Sequence, residues 1–465
     1  MRTINASREM PCREAKRQRL DQSTIATEQP DSKYQWKQFG GSWSRKFDPV
    51  EETVHFMTVA SPLLQWVITV GATVQNTALI GDVKTAWIAL RNAYPVVGAT
   101  ITDTGLQYKV PDSEEELQKW VEETVICDRS GSSAQDLALS TVAPSGSRAA
   151  EIWFLPTTNE VFLMIRHEIC DGVGSLILLN SFLELLNKGS VVEFAEFGRE
   201  HTRLSTPITQ IMKAEEPFTF QKKRANRMAE KYTRKRALSL RTEPQTASTT
   251  SKFQRTEYVF TKEETSNIIR ACKENDITIT HAATAAAAQA ILEHSGKDSG
   301  PFATIYHVNM RDMLPEQYKR AIGNLFTTAF ETIEISKSSN LLDLSEKMER
   351  IITSWKHKKN NVSYSNFLPE ILIKTVIAAA TEGTEFPAIV APISLGVVEK
   401  YLTEPMIDFW FNLSTAGSGS CMYIYTAKER LRFVYCFDSA FHKLEGMQKF
   451  VKTTVGYFNE GLELV

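Results

Sequence analysis

Residues 161–179 read VFLMIRHEICDGVGSLILL. Val161–Ile165 is an unbroken apolar run of the length of a buried strand. From Gly172 the chain turns into GVGSLILLNSFLELLNK, apolar on most faces of a helix and therefore expected to be buried, with Gly189 placed to end it. His167 closes the strand, and Asp171 and Gly172 make the turn before the helix. A polar turn between two apolar elements puts an ionisable pair in the interior. Burial of such groups is costly unless they find partners.

Working outward, AEIWFLPTTNEVFLMIRHEI reads as two β-rich runs joined by the turn segment PTTNE. LLQWVITVGATV is a further strand-like stretch. DVKTAWIALRNAYPVVGATIT is a helix that stops before Pro95 and leads into a strand, and SEEELQKWVEETV is a second amphipathic helix. Past residue 256 the order strand, helix, helix, strand returns in FQRTEYVFTKEETSNIIRACKEN, ITITHAATAAAAQAIL, FATIYHVNMRDML and NLFTTAFETIEI, without a residue-level repeat. The expected organisation is a polar disordered tail over 1–33, a first half over 34–212, a basic polar linker over 213–256 and a second half over 257–465.

The 465 residues are 42% hydrophobic and 23% charged, which argues against wholesale disorder. No run is long and apolar enough to span a bilayer, and MRTINASREMPCREAKRQRLDQ lacks the apolar segment of a secretory signal. The six cysteines, at 12, 127, 170, 272, 421 and 436, form no CxxC pair and suit reduced thiols of a cytoplasmic protein. The net charge of −2 is a sum of opposed regions. The tail contributes +2 and residues 221–241 contribute +8, leaving −12 on the remainder. The basic residues of 222–241 have three readings: a solvated linker, a contact for CoA phosphates, or a dock for an acidic acyl-carrier protein. No nucleic-acid-binding motif accompanies them, so nucleic acid is not an expected partner.

An imidazole both takes and gives a proton near neutral pH, so His167 is a candidate acid–base group and Asp171 a candidate orienter. Gly172 permits the reversal and a close backbone approach. A metal site would need further ligands, and no His or Cys cluster supplies them. No G-x-S-x-G elbow occurs for a serine hydrolase. A purely structural His–Asp bridge stays open. His294 and Asp298, at the same spacing, lie in EHSGKDSGP and read as a solvated turn.

HEICDG, residues 167–172, resembles the His-x-x-x-Asp-Gly signature of the CoA-dependent acyltransferases with the chloramphenicol-acetyltransferase-like fold. That superfamily includes plant BAHD transferases, fungal alcohol and trichothecene O-acetyltransferases, and the condensation domains of peptide synthetases. VNMRDMLPEQYKRAIGNLF is similar to the family's Asn/Asp-x-Arg segment, with Arg311, Pro315, Gly323 and Asn324. ITITHAATAAAAQAIL resembles the helix before it, and PISLGVV a late strand. The BAHD Asp-Phe-Gly-Trp-Gly signature has a ragged counterpart in Asp408-Phe409-Trp410-Phe411-Asn412, and Arg166 stands where condensation domains carry a second histidine. Both departures point towards the fungal O-acyltransferase branch.

The resemblance implies an α/β protein of two chloramphenicol-acetyltransferase-like subdomains, each a mixed β-sheet with flanking helices, and an active-site tunnel between them. It implies His167 as general base and Asp171 paired with an arginine, for which Arg311 is the candidate. Gly172 would support the catalytic loop with Arg311, and Trp410 and Asn324 would line the tunnel. Arg311 as a surface residue and Trp410 as a packing aromatic are the plainer alternatives. The implied reaction moves an acetyl group from acetyl-CoA, or another acyl-CoA, to a hydroxyl of a small lipophilic metabolite. No bound cofactor or metal is implied, and a monomer is the simpler expectation. The rivals are a condensation-type enzyme using a carrier-bound donor, ester hydrolysis, and a non-catalytic relative that binds a ligand or partner.

Overall fold

Alternating and continuous apolar runs become fifteen strands among the described residues, and their pairing decides where the candidate site lies. The computed structural model describes residues 33–60, 65–141, 143–214, 237–244, 250–356, 388–415 and 417–464, with 219, 220, 222, 223, 226 and 371. The expected tail up to residue 32 and most of the basic stretch 222–241 lie outside them.

The first half contributes β1 (Lys37–Phe39), β2 (Ser42–Lys46), β3 (Val67–Val74), β4 (Thr100–Thr102), β5 (Gly105–Lys109), β6 (Val125–Cys127), β7 (Ala150–Leu155) and β8 (Glu160–Arg166). The second contributes β9 (Phe253–Val259), β10 (Ser299–Asn309), β11 (Phe326–Ser336), β12 (Val390–Val397), β13 (Met406–Leu413), β14 (Ser420–Ala427) and β15 (Arg430–Asp438). A five-stranded sheet has the order β13-β3-β8-β7-β6, antiparallel except for the parallel β6–β7 pair. A four-stranded sheet has the order β12-β14-β15-β9, with β12 and β14 parallel. Both are therefore mixed, as expected. The hairpin β10–β11 and a small sheet β1-β2-β5-β4 complete the set.

One strand departs from the simple division into halves. β13 belongs to the second half by sequence yet pairs with β3, so it completes the first half's sheet. Its Phe409 and Phe411 enter the same apolar cluster as Val70, Leu163 and Leu176. The second half's other large cluster gathers the alanine-rich helix Ile279–Ser295, whose Ala282, Ala286 and Ala290 are buried, under Phe433 and Tyr435. Near the end of the expected linker, Ala237, Leu238 and Leu240 are buried, and the Leu238 and Leu240 amides donate to the carbonyls of Pro301 and Ala388.

The β13–β3 pairing also fixes Trp410. Gly71 is its register partner, and the indole covers that glycine so closely that a Cβ there would lie 2.5 Å from Trp410 Cε2. Replacing Gly71 by valine is expected to lower stability by about 1–3 kcal/mol through overpacking. Chemical denaturation measures this, and an unchanged unfolding midpoint would contradict the packing.

Candidate active site

The opening stretch folds as read. β8 ends at Arg166, the turn 167–171 follows, and the helix Gly172–Lys188 starts at once and stops at Gly189, which takes the left-handed conformation. Ten residues of that helix are buried, so it is anchored on most sides. The strand end is held as well, because the His167 amide donates to the Trp66 carbonyl at 3.2 Å.

The His167 side chain is nearly enclosed, at 7% exposure. Its Nδ1 lies 2.9 Å from the Cys170 carbonyl oxygen. A carbonyl only accepts, so Nδ1 carries the hydrogen and Nε2 keeps its lone pair. Burial pushes the imidazole below its ordinary pKa and outweighs the opposing hydrogen bond and the Asp171 charge. The ring is thus neutral at neutral pH, with Nε2 able to accept a proton. The neighbouring Cys170 thiol is pushed well up by burial and stays protonated, which leaves it a poor nucleophile.

Asp171 does not serve the imidazole directly. Both of its oxygens meet Arg311, at 2.8 and 2.9 Å, in a bidentate pair. Its Oδ1 also caps the helix by accepting from the Gly174 amide at 2.7 Å, and Oδ2 accepts from the Leu325 amide at 2.9 Å. Arg311 is 1% exposed, so the surface alternative does not hold. Its guanidinium also donates to the carbonyls of Ala321 and Gly323. The pair fastens the turn after β8 to the segment between β10 and β11, which lies about 140 residues away in sequence.

Gly172 is needed for space and not for an unusual φ. It opens the helix, and a Cβ there would come within 2.8 Å of Leu395 Cδ2. Leu395 is the extra residue of a bulge in β12, between Ser394 and Gly396. The bulge explains why three successive residues, Ile393, Ser394 and Leu395, face one cavity where a regular strand would alternate.

That cavity holds about 700 Å³ of empty space, including its part open to solvent. The first half supplies Trp66, Ile68, His167, Asp171, Gly172 and Val173; β10 and the turn after it supply His307, Asn309 and Arg311; Phe326, Phe411, Leu413, Cys421 and Tyr423 close the far side with the β12 bulge. The walls are mainly apolar, with His167 set among them. No group of three or more metal-ligating side chains occurs among the described residues. None of the described helices is long and apolar enough to cross a membrane.

Two expected tunnel residues lie elsewhere. Trp410 is absent from the cavity wall: Phe411 and Leu413 face it, and alternation turns Trp410 to the other side of β13, against Phe162 and Met164. Asn324 also lies behind the wall. Its amide donates to the His167 and Glu168 carbonyls at 2.8 and 3.1 Å, so it clamps the turn from below. Arg166 points away too, donating to the carbonyls of Arg148 and Gly146. His307 was missed. Period two on β10 puts His307 on the same face as Asn309, two residues before Arg311, and that spacing could have found it.

No family model matches the chain. The O-acetyltransferase pigM of Monascus ruber is 22% identical over 437 residues, covering 88% of this chain and 83% of that protein. Among solved structures, the TRI3 trichothecene 15-O-acetyltransferase from Fusarium sporotrichioides superposes with a TM-score of 0.79 at 16% identity, over 92% of this chain and 98% of that one. The EpoB cyclization-docking bidomain of a peptide synthetase from Sorangium cellulosum gives 0.64 at 9% identity, over 90% and 85%. At these identities the structures establish the fold. The chain has the chloramphenicol-acetyltransferase-like fold, and it is an acyltransferase. Its sequence is similar to those of fungal acetyltransferases.

Proposed function

We propose that this protein transfers an acetyl group from acetyl-CoA to a hydroxyl of a small lipophilic secondary metabolite, with His167 as the general base. The observation that carries this reading is the His167 tautomer: Nδ1–H is committed to the Cys170 carbonyl, and the ring stands in the wall of an apolar cavity. In the reaction Nε2 takes the proton of the acceptor hydroxyl as its oxygen attacks the thioester carbon. The tetrahedral intermediate collapses, the C–S bond breaks, and the imidazolium returns the proton to the CoA thiolate. Both substrates meet at one ring, so no acyl-enzyme is needed, and holding them there removes much of the entropic barrier. The acceptor class rests on the apolar walls and on the relatives named O-acetyltransferase.

The test is incubation of the purified protein with acetyl-CoA and a panel of lipophilic alcohols, following free CoA and products heavier by one acetyl group. CoA release that requires the alcohol is expected. Release with water alone would make the protein a thioesterase, and turnover only with a phosphopantetheinylated carrier would make it condensation-type.

A further inference from the structure

His307 is the second imidazole in the cavity, and the transfer reaction as described does not use it. It lies on β10 opposite Thr328 of β11, and the two are register partners with Nδ1 and Oγ1 3.2 Å apart. That contact occupies Nδ1 and leaves Nε2 as the ring's free polar atom, in a residue that is half-buried in the cavity wall. Its edge meets the Phe326 ring at 5.1 Å, and the His167 ring lies 6.2 Å from the same phenyl. These two distances bound the separation of the imidazoles at 11.3 Å. Burial, with a smaller contribution from the neighbouring His167, pushes the His307 pKa down to about 4, so His307 is a neutral imidazole in ordinary buffer.

The other polar side chains of the wall are mostly committed. Arg311 and Asp171 hold each other, and Asn309 accepts from the Arg311 backbone and guanidinium while donating towards the Tyr401 hydroxyl. The Tyr423 hydroxyl has no hydrogen-bond partner, but it is enclosed in protein. Besides Asn309, His307 and Ser394 are the wall's partly exposed polar side chains without an ion-pair partner. They stand on walls made of Trp66, Phe326, Leu395 and Phe411, whose other polar atoms, Trp66 Nε1 and the Tyr423 hydroxyl, are buried. A neutral imidazole in such surroundings needs an oxygen partner to offset its desolvation when the ligand displaces water.

We infer that His307 recognises a second oxygen on the acceptor, so that the preferred substrates are lipophilic alcohols carrying a further hydroxyl or carbonyl besides the hydroxyl that is acylated. This rests on the transfer reading, in which His167 engages the reacting hydroxyl. His307 then holds the same molecule by its second oxygen and fixes which hydroxyl faces the base. It is a specificity-determining contact, because an acceptor lacking that oxygen leaves Nε2 without a partner in the apolar wall.

The test uses matched acceptors on one carbon skeleton, a mono-alcohol and its diol or hydroxy-ketone, with wild type, His307→Phe and His307→Gln. Wild type is expected to favour the dioxygenated member by about tenfold in kcat/KM. His307→Phe keeps a ring against Phe326 and should level the pair, while His307→Gln, which retains a donor, should keep part of the preference. The difference is expected in KM for the acceptor, with KM for acetyl-CoA unchanged. Titration calorimetry of the same pair on wild type gives the preference as a ratio of Kd values without turnover. Equal Kd values, or an undiminished preference in His307→Phe, would overturn the inference. Acceptor-independent CoA release with a retained binding preference would overturn the transfer reading and leave His307 as a ligand contact.

Discussion

His167→Ala is expected to lower kcat for acyl transfer by about a thousandfold, within the usual range for loss of a general base, while the protein keeps its fold. The imidazole makes one side-chain hydrogen bond, to the Cys170 carbonyl, and that carbonyl stands beside a cavity that water can enter. Truncation therefore removes the base without leaving a charge unpaired, and the Asp171–Arg311 pair that holds the turn is untouched. The unfolding midpoint should move little. Acceptor-dependent CoA release with the variant at near wild-type rate would remove His167 from the mechanism. The pH profile provides a second reading of the same group. Only the neutral ring is a base, so activity rises as His167 loses its proton, and burial places that step below the ordinary histidine value of 6.5. The acid limb of kcat/KM is expected below pH 6.5, and a limb at or above that value would contradict the buried, neutral ring.

The strand, turn and helix around His167 were legible because the apolar pattern there changes period within six residues and ends in a glycine cap. The same reasoning recovered β3, β7, β8 and the helix Ile80–Ala93, which stops before Pro95. Long-range pairing was not legible from pattern. Nothing local in Asp171 or Arg311 says that the two meet across about 140 residues; only the resemblance to known acyltransferases brought them together. β13 shows a different limit. Phe409, Trp410 and Phe411 are all buried, so the strand carries no alternation to say which face meets the cavity; for Trp410 the packing reading holds and the tunnel-lining one does not. The transfer of β13 to the first half's sheet was invisible for the same reason. His307 was readable in principle, since it shares a face of β10 with Asn309, but a lone histidine in an apolar strand carries little signal until the cavity brings it near His167.

Asp171→Ala is expected to damage stability and activity together, and it does so by leaving Arg311 without its partner. The guanidinium is 1% exposed, and Asp171 supplies both of its carboxylate contacts. Removing one member of such a buried pair costs about 3–5 kcal/mol, because the remaining charge is held out of water. Two further losses add to this. The Gly174 amide at the start of the helix loses its cap, and the Leu325 amide loses its acceptor. The catalytic effect follows from the same contacts. Asp171 ties the turn that carries His167 to Arg311, and Asn324 clamps the His167 and Glu168 carbonyls from the same segment, so a loosened turn no longer holds Nε2 at the substrate. Asp171→Asn should be milder in stability, since its amide oxygen still accepts from a helix amide, but it cannot take both arms of the guanidinium. Arg311→Lys should resemble Asp171→Ala more than wild type, because an ammonium cannot replace the fork. Urea unfolding and acceptor-dependent CoA release, measured side by side, decide the matter. An Asp171→Ala protein that unfolds at the wild-type midpoint would show that the pair does not hold the turn, and a stable but inactive one would move Asp171 from support into the chemistry itself.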